Sequence, residues 1–313
     1  MKNIAFTILA LSIGVYDGIL NAATVIVDQS GNGDYFYIAD AYAAVDNDIR
    51  DTIIVRAGTY TENIGVMDKP VVLIGVDRNS VFWIDANAGY NNIVDFSHPW
   101  LIIEDITFSQ GIVDISVFER IEGCVFDDSW IMTCGSSTGG LTFINSIFKN
   151  SQYLFQSNNC GGGPLEFINC VAYNINGSNG HMRTNSSITV TNCIFSNVGA
   201  FSPQDDDSRI TITYSCLYNS ENYDGGYQNV SNSPSFVDPS NNDFRLQSSS
   251  PCIDTGSVIS LYNDPDGSRN DMGVYGGPNS LGGSGPVITN LIINPTSAEV
   301  GATITIQATA TTE

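Results

Sequence analysis

Apolar and polar residues alternate in short runs through the middle of this chain, and the runs recur at a nearly constant spacing. The segments LTFINSIFKN (141–150), LEFINCVAYN (165–174) and ITVTNCIFSN (188–197) share one pattern: an alternating stretch, Asn, a Cys or Ser, an apolar pair and a closing Asn. Weaker copies lie at 120–128 and 210–219. With the Cys or Ser as marker, Cys124, Ser146, Cys170, Cys193 and Cys216 follow one another at steps of 22, 24, 23 and 23. Such regularity marks a repeat architecture. Each unit is rich in Ile, Val, Phe, Thr and Tyr at period two, Gly and Asn interrupt it too often for an amphipathic helix, and the Leu ladder of a leucine-rich repeat is missing. The remaining solution is an all-β fold, a parallel β-helix or solenoid in which each unit is one coil and coils stack about 4.8 Å apart. Length and period together give about ten coils.

Stacking places equivalent side chains above one another, which predicts specific columns. Cys170, Cys193 and Cys216 are expected inside the solenoid as a file of small apolar groups. Asn150, Asn174, Asn197 and Asn219 are expected at a turn, where Asn tolerates left-handed backbone and its amide bonds the copy above. Cys134 and Cys160 each open a Gly-rich connection one coil apart, which makes them the candidate disulfide. Before the repeat, Ile38, Ala41, Tyr42 and Val45 fall on one helical face, suited to an N-terminal helix that caps the open first coil.

The chain ends bear other signals. Lys2, an apolar run over 4–15 and the pair Ala22-Ala23 read as a signal peptide over 1–23. Residues 279–285 are Gly- and Ser-rich and read as a linker. Two alternating stretches, 287–295 and 300–308, read as strands around a turn.

The opening segments DQSGNG (28–33), DTIIVRAGTYTENI (51–64) and KPVVLIG (69–75) resemble the start of right-handed β-helix proteins of the pectin lyase-like superfamily, including pectinesterases. The closing segments DFRLQ (243–247), SPCIDTG (250–256), DPDGS (264–268) and DMGVYGG (271–277) resemble that superfamily's end, so the likeness spans roughly 24–278. It implies a right-handed helix and leaves the activity open among lyases, esterases, hydrolases and non-catalytic surface proteins. Residues 286–313 resemble the first strands of a bacterial immunoglobulin-like module, of which two strands are only the beginning.

Charge narrows the partners. With 11 Lys plus Arg against 33 Asp plus Glu, a net charge of -22 excludes a phosphate backbone or an anionic membrane surface as ligand. After the leader, no stretch approaches the roughly 18 apolar residues that membrane insertion needs. An exported or cell-surface protein that meets a polysaccharide or cell-surface glycan fits these constraints.

Candidate chemistry is sparse. Pectinesterase resemblance implies paired Asp residues, an Arg and Gln residues; Val113-Asp114 and Gln110 match one stretch, with no second Asp or Arg at the matching later positions. Glycoside hydrolysis needs two carboxyl groups flanking one bond, and Glu104, Asp105, Asp114, Glu119, Glu122, Asp127 and Asp128 supply acids that elsewhere serve a solvated face. A uronate lyase needs Ca²⁺ and a base; Asp205, Asp206 and Asp207 form the densest acidic cluster, and Arg183 is the candidate base, ahead of Arg209, His181 and Lys149. The stretch 264–271 is acidic, yet Gly267 misses the EF-hand position and the stretch reads as a turn. If Ile131, Leu154 and Met182 point inward, then Trp130, Tyr153 and His181 line an outer face on which sugar rings stack, with Arg183 facing a carboxylate. Binding of a polysaccharide along that face is the favoured function, with a Ca²⁺-assisted lyase and a structural stalk or adhesin as alternatives.

Overall fold

The computed structural model describes residues 22–86, 92–115, 120–133, 140–157, 164–176, 182–183, 187–199, 210–220, 226–280, 287–294 and 305–311. Residues 1–21 of the expected leader and the Cys134 and Cys160 pair lie outside these residues. Among the described residues no helix is long and apolar enough to cross a membrane.

Residues 22–282 form one compact unit, a right-handed parallel β-helix. Three parallel sheets run its length. The first has nine strands, from Thr24–Val27 to Ile210–Thr213; the second has eight, from Gly58–Thr61 to Cys216–Tyr218; the third has six, from Val66–Met67 to Met182–Arg183. Nine strands, rather than ten coils, are reached because residues 28–50 and 226–278 serve a cap and a closing segment.

Strands of three to five residues turn at two corners, and each corner is a column of left-handed residues. Between the first and second sheets it is Asp105, Gly123, Asn145, Asn169, Asn192 and Tyr214; after the second sheet it is Gln110, Asp128, Asn150, Asn174, Asn197 and Asn219. Asn and Gly pay least for this backbone. In the second column Asn197 donates to the Asn174 side chain at 3.2 Å and Asn219 to Asn197 at 3.1 Å, as stacking predicts.

Inward positions also stack. Phe108 and Phe126 lie 5.4 Å apart and nearly parallel, Phe126 and Phe148 5.2 Å apart, and Phe143 and Phe167 5.0 Å apart. The expected cysteine file needs one correction. Strand register aligns Cys124, Ser146, Cys170 and Cys193, and the Cys193 amide donates to Ser215 Oγ at 3.0 Å, so Ser215 continues the column. Cys216 aligns instead with Ile194, on the outer face of the second sheet. The last coil is one residue shorter than its predecessor, and a one-residue slip reverses the face.

Helix Ile38–Ala44 covers the first coil with Ile38, Ala41 and Tyr42 buried, and Val45 buried beyond it. Its caps come from the coil beneath. The Glu62 carboxylate accepts from the Ile38 and Ala39 amides, both at 3.0 Å, while Lys69 Nζ donates to the Tyr42, Ala43 and Val45 carbonyls. These satisfy the orphan groups at both ends and match the helix dipole.

The closing segment covers the outer face of the second sheet. Phe236, Phe244, Cys252, Met272 and Val274 bury themselves against Val125, Ile147, Val171, Ile194 and Cys216. The buried Asn corner holds it there: Asn145 Nδ2 donates to Val274 O and Gly276 O, and Asn169 Nδ2 to Asp271 O and Gly273 O. Close approach requires glycine, since a Cβ on Gly276 would lie 1.7 Å from the Asp271 carbonyl oxygen. Cys216 and Cys252 are both buried as free thiols, and Cys216 Sγ donates to Asn232 O at 3.3 Å.

Residues 283–313 belong to a separate unit, in which Val287–Asn294 pairs antiparallel with Thr305–Thr311. The first alternating stretch is thus a strand, while the second strand begins at Thr305 and overlaps the expected stretch 300–308 only at its end.

Candidate functional site on the third sheet

The third sheet exposes one face away from the core. Its inward residues, Val94, Phe96, Val113, Ile115 and Ile131, are buried, so by alternation Asp95, Asp114, Trp130 and Met132 face outward, each half-buried. Strand register then sets two rows. Val66, Asp95, Asp114, Met132, Gln156 and Arg183 occupy one row of aligned positions. Asn92, Ile112 and Trp130 occupy the other, and Tyr153 adjoins it: the Trp130 and Tyr153 rings meet edge to face, 5.4 Å between centroids and 83° between planes.

Two carboxylates therefore sit at neighbouring positions on adjacent strands, about 4.8 Å apart at the backbone. Like charges placed so are unfavourable to the sheet itself. Two carboxyl groups flanking one bond are an arrangement that sugar chemistry uses, one donating a proton while the other attacks or accepts. Beside them the Trp130 and Tyr153 rings meet edge to face, so they do not form the continuous flat platform that stacking alone suggests.

The sequence-predicted residues divide as follows. Trp130 and Tyr153 meet, and the Arg183 position joins the Asp114 row. Tyr153 is half-buried while Leu154 is buried as expected, but strand register sets Phe155, not Leu154, opposite Met182. His181, Glu119, Arg209, Asp205, Asp206 and Asp207 lie outside the described residues. Among the described residues no group of three or more His, Cys, Asp or Glu could hold a metal ion, so no Ca²⁺ step is derived from them. Gln110 is an exposed corner residue with left-handed backbone, not a neighbour of Asp114 within the row.

The other acids are engaged structurally. Arg120 lies between Glu104 and Glu122, at 2.5 and 3.2 Å. Asp127 pairs with Lys149 and accepts from Asn150, and Asp128 turns the second corner. Asp105 occupies the first corner, where burial outweighs the nearby Arg78 and pushes its carboxyl up to about 6. In the acidic turn, Asp264 accepts from the Asp271 and Gly277 amides and Asp266 from Ser268, so these carboxylates clamp backbone.

Sequence reading passed over Asp95. The signal was there: Ile93-Val94-Asp95-Phe96 and Ile112-Val113-Asp114-Ile115 are near copies, and the partner carboxylate lies one coil earlier, not later.

No protein-family model matches this chain, and no curated protein matches it by sequence. Solved structures with a similar chain path include the pectin methylesterase from carrot, 14% identical, covering 69% of this chain and 85% of its own at a TM-score of 0.39. The pectin methylesterase PemA from Erwinia chrysanthemi is 12% identical, covering 66% and 81% at 0.41. The pectate lyase Pel9A is 16% identical, covering 82% and 97% at 0.35. These likenesses concern fold; the strand register establishes the β-helix independently.

Proposed function

We propose that this chain is a secreted or surface-displayed β-helix protein that binds a uronate-containing polysaccharide along the outer face of its third sheet. The observation that carries this reading is the juxtaposition of the Trp130 and Tyr153 rings with the row that contains Asp95, Asp114 and the Arg183 position. An aromatic face takes the apolar side of a sugar ring, a carboxylate accepts from its hydroxyls, and an arginine meets the uronate carboxylate. A parallel solenoid suits a linear polymer, because its rows repeat along the axis as the polymer does.

A second reading is favoured by one feature, the Asp95 and Asp114 pair. It makes the same face a catalytic centre for pectin, in which one Asp attacks or activates water and the other handles the proton. A lyase in which Arg183 removes the proton and Asp205, Asp206 and Asp207 hold Ca²⁺ is the further alternative, and a stalk or adhesin is the reading without ligand.

One set of assays separates these. Affinity electrophoresis in polygalacturonate is expected to retard the protein, and Trp130→Ala with Tyr153→Ala to weaken retention about tenfold or more, the scale of one lost stacking contact. Methanol released from esterified pectin and abolished by Asp114→Asn establishes the esterase. Ultraviolet-absorbing product lost on chelation and in Arg183→Ala establishes the lyase. Absence of both retardation and turnover overturns the glycan reading and leaves the stalk.

A further inference from the structure

Two cysteines from separate parts of the chain meet beneath the closing segment. Cys216 aligns with Ile194 on the outer face of the second sheet and is fully buried. Cys252, also fully buried, packs against the same face from the segment that returns over it. Two strips of chain hold the pair. On one side, a Cβ on Gly273 would lie 2.8 Å from Ile194 Cδ1, so this strip rests on Ile194, and the adjacent Met272 amide donates to Cys252 O at 2.9 Å. On the other, Cys216 Sγ donates to Asn232 O at 3.3 Å. Two residues further on, Pro234 O accepts from Ser250 Oγ at 2.6 Å, and that oxygen in turn accepts from the Cys252 amide at 3.2 Å.

The thiols act on each other. The Cys252 side chain, ahead of burial, pushes the Cys216 thiol up, and the Cys216 side chain holds Cys252 below the ordinary thiol range. In the inner file burial comes first instead: Cys193 is pushed up chiefly by desolvation, and its Sγ is spent on the Phe167 and Thr191 carbonyls. The outer pair also sits at a mechanical junction. Cys216 belongs to the last strand of the second sheet, and Cys252 to the segment that must stay down to keep Val171 and Ile194 covered.

We propose that Cys216 and Cys252 are a redox site, joined as a disulfide by an oxidant of the class of oxidised glutathione, and that the bond locks the closing segment onto the last coil. One cysteine thiolate attacks a sulfur of the oxidant, whose S–S bond breaks and releases a thiolate. The second cysteine loses its proton and attacks the first cysteine's sulfur, releasing the other half of the oxidant. The pair gives up two electrons and two protons, and the oxidant ends as two thiols. Because both sulfurs are sealed from solvent, exchange takes place before the segment docks or when it lifts locally. The site is independent of the third sheet and of any ligand there.

Refolding of the full chain in oxidised and in reduced glutathione tests it, with remaining thiols alkylated in denaturant and the peptides mapped by mass spectrometry. The oxidised chain is expected to give a linked peptide that joins Cys216 to Cys252, while Cys124, Cys170 and Cys193 are alkylated. Thermal melting is compared in a Cys134→Ser, Cys160→Ser background, which removes the other candidate bond. There the oxidised form is expected to melt about 5 °C or more above the reduced form, since the bond closes a long loop. Adding Cys216→Ser or Cys252→Ser is expected to abolish the linked peptide and to bring the two melting temperatures together, whatever the substitution costs in packing. Alkylation of both Cys216 and Cys252 after oxidation, pairing of either with another cysteine, or an oxidised chain that fails to refold overturns the proposal. So does a temperature difference that survives Cys252→Ser.

Discussion

Corner residues carry much of the specificity of this fold. A solenoid turn with left-handed backbone costs an ordinary L-residue about 1–2 kcal/mol, and Asn or Gly lessens that cost. The column after the second sheet was readable from sequence, since Asn150, Asn174, Asn197 and Asn219 close each unit. The column before it, Asn145, Asn169 and Asn192, stood beside the Cys and Ser markers, yet nothing local said that its amides would hold the closing segment. Asp105 stands in this column as an acid where Asn145, Asn169 and Asn192 follow in later coils. Burial raises its carboxyl to about 6, as burial also does for Asp271. An acid with a raised folded pKa binds its proton more tightly when folded, so this part of the stability is fully present below about 4 and is lost as pH climbs through about 6. Urea unfolding is therefore expected to give lower stability at pH 7.5 than at pH 4.5. Asp105→Asn, which suits the corner, is expected to raise stability at the higher pH and to flatten the dependence. An unchanged or steeper pH profile in that variant contradicts the assignment.

At the scale of elements, the capping helix shows local pattern and tertiary context acting together. Seven residues cannot hold a helix alone in water. The apolar spacing of Ile38, Ala41, Tyr42 and Val45 marked the element, but its caps are supplied by Glu62 and Lys69 from the following coil. Tyr42 binds into the same junction, its hydroxyl accepting from the Asp68 and Lys69 amides, and burial pushes its pKa up to about 12. Removal of the Glu62 carboxylate in Glu62→Ala is expected to cost about 2 kcal/mol, the upper range of a lost cap. Hydrogen exchange at the Ile38 and Ala39 amides is expected to accelerate with it; protection equal to the parent protein would show that the cap lies elsewhere. Strands followed the alternation closely, whereas the third sheet did not. Its bulge between Ile112 and Val113 shifts the register, which is why the alignment of Asp95 with Asp114 escaped a reading based on constant spacing.

The whole molecule depends on a long return. Residues 236–277 travel back over coils more than a hundred positions earlier in the chain, as the contact between Asn145 and Gly276 shows. Truncation after residue 248 removes Cys252, Met272 and Val274, three buried side chains worth about 1.5–3 kcal/mol each, so a loss on the order of 5 kcal/mol is expected. The truncated chain is expected to bind a hydrophobic dye and to aggregate, because Val171, Ile194 and Cys216 lose their cover. A soluble, cooperatively unfolding fragment that binds no dye would mean that the closing segment is dispensable.

The sequence by itself determined the solenoid, its period, one Asn column and the cap, because each arises from neighbours within a coil or from one coil repeated on the next. Tertiary structure alone decided which Cys leaves the file, which acids stand side by side, and which Cys the closing segment carries back to the last coil. Those outcomes turn on single-residue differences in coil length and on a distant segment folding back, and no local spacing encodes either.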